Sequence, residues 1–401
     1  MVKNMKIGLY YMISSTDASI EADKENREYL SLLSKEIGIE FEISDLDHIK
    51  NYPLSFVFAG TGGVEGIFLK AYKRLPQPVF LLTTGHSNSL AASMEILSFL
   101  RQKNIVGEII HGSFDYVKKR VIQICHIFEV KERICSLRLA RVGKPSDWLI
   151  SSNVDAQSSK QINGIEIIDI SMEEFYQEIS KNEYPNNQYV ELFKTGKFNE
   201  NEKEKALYIY GALKRLVAKY HLNGATVKCF DLLDTVKSTG CVGLALLNAE
   251  GIYASCEGDT PALISMAILG ELTGQPVFMA NPSELDTDNN EIIFAHCTLP
   301  INMISKFELM THYESQIGVA FRGKIDEGAC TVFKTDGLLQ QYFASKGEII
   351  ENLSRHNLCR TQIRIKMDQP VDYFLKESIG NHHLIIKGDY VDLIDEFYKY
   401  L

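Results

Sequence analysis

The sequence lacks several patterns that would mark common protein classes. None of its eight cysteines forms a Cys-x-x-Cys pair, and none has the spacing of a zinc ribbon. No run of 18 apolar residues occurs, and no apolar signal-peptide segment precedes the first predicted strand, Lys6–Met12. We therefore expect a soluble, cytoplasmic protein whose thiols are reduced and mostly buried, with no membrane partner.

An excess of positive charge is also absent. The chain has 42 Lys and Arg against 52 Asp and Glu, which gives a net charge of -10. Because binding to phosphate backbones needs concentrated Lys and Arg, we expect no nucleic-acid partner. The one basic run, from Lys118 to Arg141, alternates with apolar residues and indicates a solvated helix face. The G-x-S-x-G motif of many serine hydrolases does not occur either.

The patterns that are present predict an α/β protein of two or three domains. With 401 residues, 45% of them apolar and 23% charged, the chain has ample material for more than one core. Alternating strand and helix patterns predict two Rossmann-like parallel-sheet domains, at 1–145 and 146–285. Strand patterns dominate afterwards and predict a β-rich, barrel-like C-terminal domain at 286–401.

Three local predictions bear on the domain boundaries. A long helix is predicted over Asp115–Val142, ended by Gly143-Lys144-Pro145, and a strand over Trp148–Ser151. A one-faced apolar stripe predicts a helix from Glu202 to about His221, and Gly224 suits the position just after it.

Polar residues follow two strands that are predicted to be neighbours in the second domain. Glu257 follows Ile252–Cys256, and Asn281 ends Val277–Ala280 after an intervening apolar helix. Asp259 or Thr260 can cap that helix, with Pro261 in its first turn. Because the carboxyl ends of parallel strands face one crevice, Glu257 and Asn281 are candidates for binding a cation, and Glu257 also for moving a proton.

Two loops of the first domain are weaker candidates. The loop Gly60–Gly66 follows a strand, but Glu65 stands where a dinucleotide fingerprint needs its third glycine, so a tight turn is at least as plausible as NAD binding. The segment Thr83–Ser89 contains His86 and Asn88 as possible substrate contacts. Helix capping by Ser or Asn explains most of its composition equally well.

Four further residues in the C-terminal region are candidates. His296 ends a predicted strand and suits a proton shuttle or ligand, although buried structural histidines are as frequent. His312 and Glu314, two residues apart, would share one face of a strand as substrate contacts or as an exposed surface. In Gly380-Asn381-His382-His383 the adjacent histidines would point to opposite faces, so only one could reach a shared site.

Taken in order, these motifs resemble the L-fucose isomerase and L-arabinose isomerase superfamily, and most closely its shorter fucose-isomerase-like members. The resemblance covers most of residues 50–401 and is strongest from about 250 onward, in the motifs Cys256–Asp259, Phe278–Asn281, Ala295–Cys297 and Gly380–His382.

The resemblance implies a cytoplasmic isomerase that interconverts aldoses and ketoses through a metal-stabilised enediolate, with a small sugar as substrate. It implies Mn²⁺ as the usual metal and a homo-oligomer, a trimer or hexamer, with active sites at subunit contacts. By motif the metal ligands would be Glu257, Asn281 and His382, with Glu257 also as the catalytic base. As a separate hypothesis, His296 or Glu314 compensates for the missing acid at position 281, with His296 as the second catalytic residue.

One departure leaves a different class of function open. Position 281 is Asn where L-fucose isomerases have Asp, and an amide oxygen can bind a hard cation but brings no charge and accepts no proton. The alternative is a non-catalytic sugar-binding or sensor protein on the same fold. A nucleotide-dependent enzyme is a third possibility, which rests on the Gly60–Gly66 loop alone.

Overall fold

A computed structural model describes residues 6–15 and 19–401 of the chain. They form two compact units, one up to Glu132 together with Glu396–Leu401, and one over Arg133–Asp395. The predicted fold class is confirmed, because the chain contains two parallel sheets followed by a closed antiparallel barrel. The division into domains at 145 and 285 stays a prediction, since the second sheet and the barrel share one compact unit.

The first unit is built on a five-stranded sheet in which all paired strands are parallel. Its central strand, Leu54–Ala59, is buried along its whole length, as expected for a strand covered on both faces. The elements are β1 (Lys6–Met12), α1 (Ser19–Ile37), β2 (Glu40–Ile43), β3 (Leu54–Ala59), α2 (Glu65–Ala71), β4 (Val79–Leu82), α3 (Ser89–Gln102), β5 (Gly107–Ile110) and α4 (Phe114–Cys135). The strand order is β2-β1-β3-β4-β5.

The predicted long helix Asp115–Val142 is wrong in its last part. Helix α4 ends at Cys135, and Arg138–Val142 forms a strand, β6, that pairs with two parallel neighbours in the second sheet. Leu139, Ala140 and Val142 are buried in that sheet. No Gly or Pro separates the helix from the strand, so local sequence carries no stop signal, and strand pairing decides the conformation.

A four-stranded parallel sheet opens the second unit. Its elements are β6, α5 (Ala156–Asn163), β7 (Glu166–Ile170), α6 (Met172–Ile179), α7 (Gln188–Lys194), α8 (Glu200–Tyr220), β8 (Gly224–Val227), α9 (Asp231–Thr235), α10 (Cys241–Ala249), β9 (Tyr253–Cys256) and α11 (Thr260–Thr273). The strand order is β7-β6-β8-β9.

Two local predictions for this sheet are wrong. Trp148–Ser151 forms turns instead of a strand, because Leu149 and Ser152 bond back to the carbonyls of Ser146 and Leu149. Helix α8 ends on His221, which itself takes the left-handed conformation with φ +53°. Gly224 instead begins β8, where a side chain would collide with the Tyr253 carbonyl.

A barrel of six antiparallel strands forms the rest of the second unit. The elements of the chain after α11 are β10 (Phe278–Asp286), β11 (Glu291–His296), β12 (Lys306–Met310), β13 (Ala320–Lys324), β14 (Gly328–Thr335), β15 (Tyr342–Asn352), β16 (Thr361–Met367), α12 (Tyr373–Lys376), β17 (His383–Lys387) and α13 (Val391–Lys399), and α13 from Glu396 onward belongs to the first unit. The closed order is β10-β11-β16-β15-β14-β17, and β12 pairs with β13 outside it. Alternate inward residues such as Phe294, Val332 and Ile365 fill the core.

The prediction that Glu257 and Asn281 end neighbouring parallel strands is wrong. Strand β9, before Glu257, belongs to the parallel sheet, whereas Asn281 lies within β10 of the barrel and pairs with Ala295. The helix between them, α11, is buried all round and joins the two sheets. The predicted N-terminal capping of α11 is confirmed, because the Asp259 side chain accepts from the Ala262 amide. Gly274, in the left-handed region at φ +64°, ends the helix.

Within residues 6–15 and 19–401, no helix is both long and apolar enough to cross a bilayer.

Gly211 in the middle of α8 gives a stability test. A Cβ at this position would lie 1.9 Å from the Glu183 carbonyl oxygen, whereas a Cβ at Gly66 in α2 would meet nothing within 4 Å. We expect Gly211→Ala to destabilise the fold by about 1–3 kcal/mol despite the better helix propensity of Ala. Gly66→Ala, the matched control, should be neutral or stabilising by up to about 1 kcal/mol. Denaturant unfolding measures both, and equal effects would contradict the packing argument.

Candidate metal centre

Three side chains from separate elements of the second unit meet at one point. Glu257 follows β9, His296 ends β11, and His382 directly precedes β17. Each offers one ligand atom, and these three atoms lie within 4.8 Å of one another. Nε2 of His382 is 3.5 Å from Oε1 of Glu257. The geometry is that of a three-donor site for a single metal ion.

A strained turn presents the carboxylate of Glu257. Glu257 has φ +64° and Gly258 has φ +73°, so both lie in the left-handed region, which only glycine tolerates freely. A side chain at Gly258 would lie 2.6 Å from the Lys144 carbonyl, and the Ser146 amide donates to the Glu257 carbonyl at 2.8 Å. The packing of the 144–146 segment therefore holds a conformation that Glu257 would not adopt alone.

The Glu257 carboxylate is only 9% exposed and is nevertheless ionised at neutral pH. Burial by itself would raise its pKa. The neighbouring His382 and His296 imidazoles and the Trp148 N–H, which donates to Oε2 at 2.6 Å, outweigh that effect and lower the pKa.

His382 is fully buried and is oriented by a second carboxylate. Its Nδ1 donates to Oδ2 of Asp259 at 2.8 Å. Its Nε2 is buried and has no hydrogen-bond partner among the described residues. Burial disfavours the imidazolium, but the bond to Asp259 and the nearby Glu257 carboxylate outweigh it and raise the pKa of His382 to about 9. The ring is therefore protonated at pH 7 when no metal displaces the proton.

Asp259 links the site to the barrel wall. Its Oδ1 accepts from the Ala262 amide at 2.8 Å and lies 4.0 Å from Nζ of Lys334, a residue of β14. All of these side chains are buried. Burial would raise the pKa of Asp259, but Lys334 and His382 lower it to about 2. Asp259 therefore stays charged and keeps the His382 proton on Nδ1.

His296 differs from His382 in protonation. Burial, with a further contribution from the charge of His382, lowers its pKa to about 4, so the ring is neutral at pH 7. Its Nδ1 shares a 2.8 Å hydrogen bond with the Thr298 hydroxyl, which leaves Nε2 free. The two imidazole rings lie edge to face with centroids 5.5 Å apart. A neutral imidazole can bind a metal without first losing a proton.

The donor set fits a divalent transition metal. One carboxylate and two imidazoles suit ions such as Mn²⁺, Fe²⁺ or Zn²⁺, whereas Mg²⁺ and Ca²⁺ prefer oxygen ligands throughout. The strongest sign is Nε2 of His382, which is buried without a hydrogen bond and lies 3.5 Å from Oε1 of Glu257, because a cation between these two atoms would satisfy both. The hydrogen bond from its Nδ1 to Asp259 is the usual support for a metal-binding histidine.

Other predicted site residues lie around this centre or apart from it. The amide oxygen of Asn281 accepts from Asn381 at 3.3 Å, and its role as a ligand stays a prediction. His383 points elsewhere and bonds to Tyr373 through Nε2. His312 and Glu314 lie in a turn and not on one strand face as predicted, because His312 bonds locally to Ser315.

His86 and Asn88 belong to the first unit, and their role as substrate contacts stays a prediction. His86 is exposed, with Nδ1 3.4 Å from Glu25. Asn88 precedes α3 but makes no side-chain capping bond. In the Gly60–Gly66 loop the amides of Gly60 and Gly62 bond to the carbonyls of Met12 and Ser87, which favours the tight-turn interpretation over an anion site.

Three residues that contribute to the site are not predicted as site residues from the sequence. The sequence predicts Asp259 only as a helix cap, and it predicts Trp148 only as part of a short strand. Lys334 lies on a strand among apolar neighbours and gives no local signal. The sequence Glu257-Gly-Asp259 places two carboxylates on one strand-to-helix turn, which was the available clue to Asp259.

The chain is similar to curated sulfoquinovose isomerases. Those of Priestia aryabhattai and Priestia megaterium (strain ATCC 12872 / QMB1551) are each 21% identical over 314 residues, which is 72% of this chain and 70% of theirs. That of Clostridium sp. (strain MSTE9) is 31% identical over 106 residues, 26% of this chain and 24% of its own length. No family model matches the chain.

The pKa of His382 predicts how metal binding depends on pH. Below about pH 9 the ring carries a proton on Nε2 that a metal must displace, so affinity should rise about tenfold per pH unit up to pH 9 and level off above it. Isothermal titration with Mn²⁺ at pH 7–8, in buffers of different ionisation enthalpy, should show release of about one proton.

Asp259→Asn is the matched variant for this measurement. Asn keeps the helix cap but removes the charge that raises the pKa of His382, so proton release at pH 7–8 should shrink. Affinity that does not vary with pH in the unmodified protein would contradict the protonation assigned to His382.

Proposed function

We propose that this protein is a sugar isomerase of carbohydrate metabolism, which interconverts an aldose and a ketose at the Glu257–His296–His382 centre with a divalent cation. The observation that carries the proposal is the convergence of these three donors, one of them with an unpartnered buried nitrogen. The similarity to sulfoquinovose isomerases supports an isomerase that acts on a sugar. The ordered motifs support a place in the fucose and arabinose isomerase-like group.

The chemistry of the reaction matches the residues present. Moving a hydrogen between C1 and C2 of a sugar requires removal of a proton beside a carbonyl group. A bound divalent cation supplies the charge that polarises this carbonyl and stabilises the enediolate. Glu257, His296 and His382 would hold the cation, and Mn²⁺ is the ion that we propose.

Proton transfer falls to carboxylates beside the centre. Glu257 is ionised, and since Oε1 faces His382, the proton would go to Oε2, which has a second lone pair besides the one that accepts from Trp148. Burial raises the pKa of Glu314, and the nearby charge of Glu257 raises it further, although His312 opposes both. A carboxyl group whose pKa is raised holds a proton more readily and is suited to carrying it between two carbons. We propose Glu314, with His296 as the alternative, for the second acid–base role that Asn281 cannot fill.

The proposal also covers the cellular location, the substrate and the oligomeric state of the protein. All eight cysteines are free thiols, which suits a reducing cytoplasm. We propose sulfoquinovose as the first substrate to test, because the curated relatives are named for it. A homo-oligomer with active sites at subunit contacts stays part of the proposal.

The second candidate function is a sugar-binding sensor, and Asn281 is the residue that favours it. Its amide oxygen already accepts from Asn381, so it supplies neither a charge nor a free base. A sensor would bind metal and sugar without exchanging the C2 hydrogen, and exchange measurements separate it from an isomerase.

The test is ketose formation and C2 hydrogen exchange from sulfoquinovose and a panel of aldoses in the presence of Mn²⁺. Glu257→Gln removes the charge and the base, so turnover should fall by about 10²–10⁴-fold. Glu327→Gln, an exposed carboxylate in the loop before β14, is the control and should keep wild-type turnover. Near-normal turnover of Glu257→Gln would overturn the assignment, and sugar binding without exchange in the wild type would favour the sensor.

A further inference from the structure

Trp148 is the only tryptophan of the chain, and it makes a direct contact with the candidate centre. Its Nε1 donates to Oε2 of Glu257 at 2.6 Å, the opposite oxygen from the one that faces His382. Yet the side chain is 55% exposed. A large aromatic ring left half in solvent beside a buried polar centre is not explained by packing, because such rings are normally covered.

Backbone contacts hold this ring in place. The Ser146 amide donates to the Glu257 carbonyl, and the Leu149 amide closes a turn back to the Ser146 carbonyl at 2.8 Å. Ser146 and Leu149 are both buried, so the residues that flank Trp148 are anchored on the Glu257 turn. The exposure of the indole therefore arises from an ordered turn and not from a loose loop end.

Other aromatic groups lead from the exposed Trp148 toward the predicted substrate contacts, through the half-buried Phe230 to the buried His312. Phe230 packs edge to face on Trp148 with ring centroids 4.8 Å apart. His312 packs edge to face on Phe230 at 5.8 Å, and Glu314 lies 3.9 Å from His312. We call Trp148, Phe230 and His312 the aromatic rim. It joins the ligand Glu257 to the proposed proton carrier Glu314.

We propose that the aromatic rim is the sugar-binding surface of the centre, with Trp148 in two roles. Its N–H positions the Glu257 carboxylate, and its exposed face receives the C–H face of the sugar. This inference rests on the proposed function, since it names how the same site holds its substrate.

The chemistry of a sugar ring or chain fits this surface. A sugar has hydroxyls on its edges and C–H groups on its faces, so an aromatic face beside fixed polar groups binds it in one orientation. A sugar bound against Trp148 would lie next to the Glu257 carboxylate, to which the indole bonds. The hydrogen bond to Oε2 keeps the other oxygen directed at His382, where the cation is expected.

Two substitutions separate the roles. Trp148→Phe keeps an aromatic face and removes the N–H, so kcat should fall by about 10- to 100-fold with little change in KM. Trp148→Gln keeps a donor and removes the ring, so KM should rise by about 3- to 10-fold with a smaller loss of kcat. Ile150→Ala, on the same loop at 93% exposure, is the control for general disturbance and should leave both constants unchanged.

The tryptophan itself supplies a readout that does not need turnover. Because Trp148 is the only one, the emission of the wild-type protein reports this position alone. Addition of Mn²⁺ should change the emission, since Glu257 changes partners. Addition of sulfoquinovose, or of an aldose found active in the exchange assay, should then protect Trp148 from quenching by acrylamide.

The outcomes distinguish this inference from the proposed function. Protection by sugar without C2 exchange would defeat the isomerase and keep the rim as a sugar surface. Exchange in the wild type, without sugar protection of Trp148 and with unchanged kcat and KM in both variants, would overturn the rim and leave the isomerase standing. If no sugar changed the emission of Trp148 and no C2 exchange occurred, both the aromatic rim and the isomerase function would be overturned.

Discussion

The pairing of His382 with two carboxylates is the interaction on which the centre depends. Its imidazole is fully buried, with Asp259 on one nitrogen and Glu257 facing the other. Removal of one partner would leave a charge uncompensated in the interior, which is far more costly than loss of a surface ion pair. The three residues come from a strand-to-helix turn and from the strand entering the barrel, so the same contacts join sheet and barrel within the second unit.

The two histidines of the centre differ in their hydrogen-bond partners and in their protonation. His296, bonded to a neutral hydroxyl, stays uncharged, whereas His382, bonded to a charged carboxylate, holds a proton until a cation replaces it. Sequence alone shows two histidines near strand ends. Both rings are buried, which lowers both pKa values, but the Asp259 and Glu257 carboxylates that the fold places beside His382 raise its pKa, whereas the charge of His382 lowers that of His296 further.

The fold class followed from the sequence because periodicity is local. Buried parallel strands such as Leu54–Ala59 are continuous apolar runs, and Thr361–Met367 alternates every second residue. The capping of α11 was equally local. The helix prediction is wrong for Arg138–Val142 because the conformation of this segment depends on pairing with strands that lie about 30 and 85 residues away. The prediction for Asn281 places it in the wrong sheet for the same reason. An apolar strand pattern does not indicate which other strands it will pair with.

By itself, the sequence determined the fold class, most of the strands and helices, and the kind of chemistry that the polar residues at their ends can perform. It also placed Glu257 beside a glycine, which permits the tight turn found there. The tertiary structure decided which of the candidates meet: it brought His296 to Glu257 and His382, gave Asp259 its second partner and set Trp148 against the carboxylate. The physical reason is that side-chain direction depends on strand pairing and barrel closure, and these arise from contacts between residues distant in the chain.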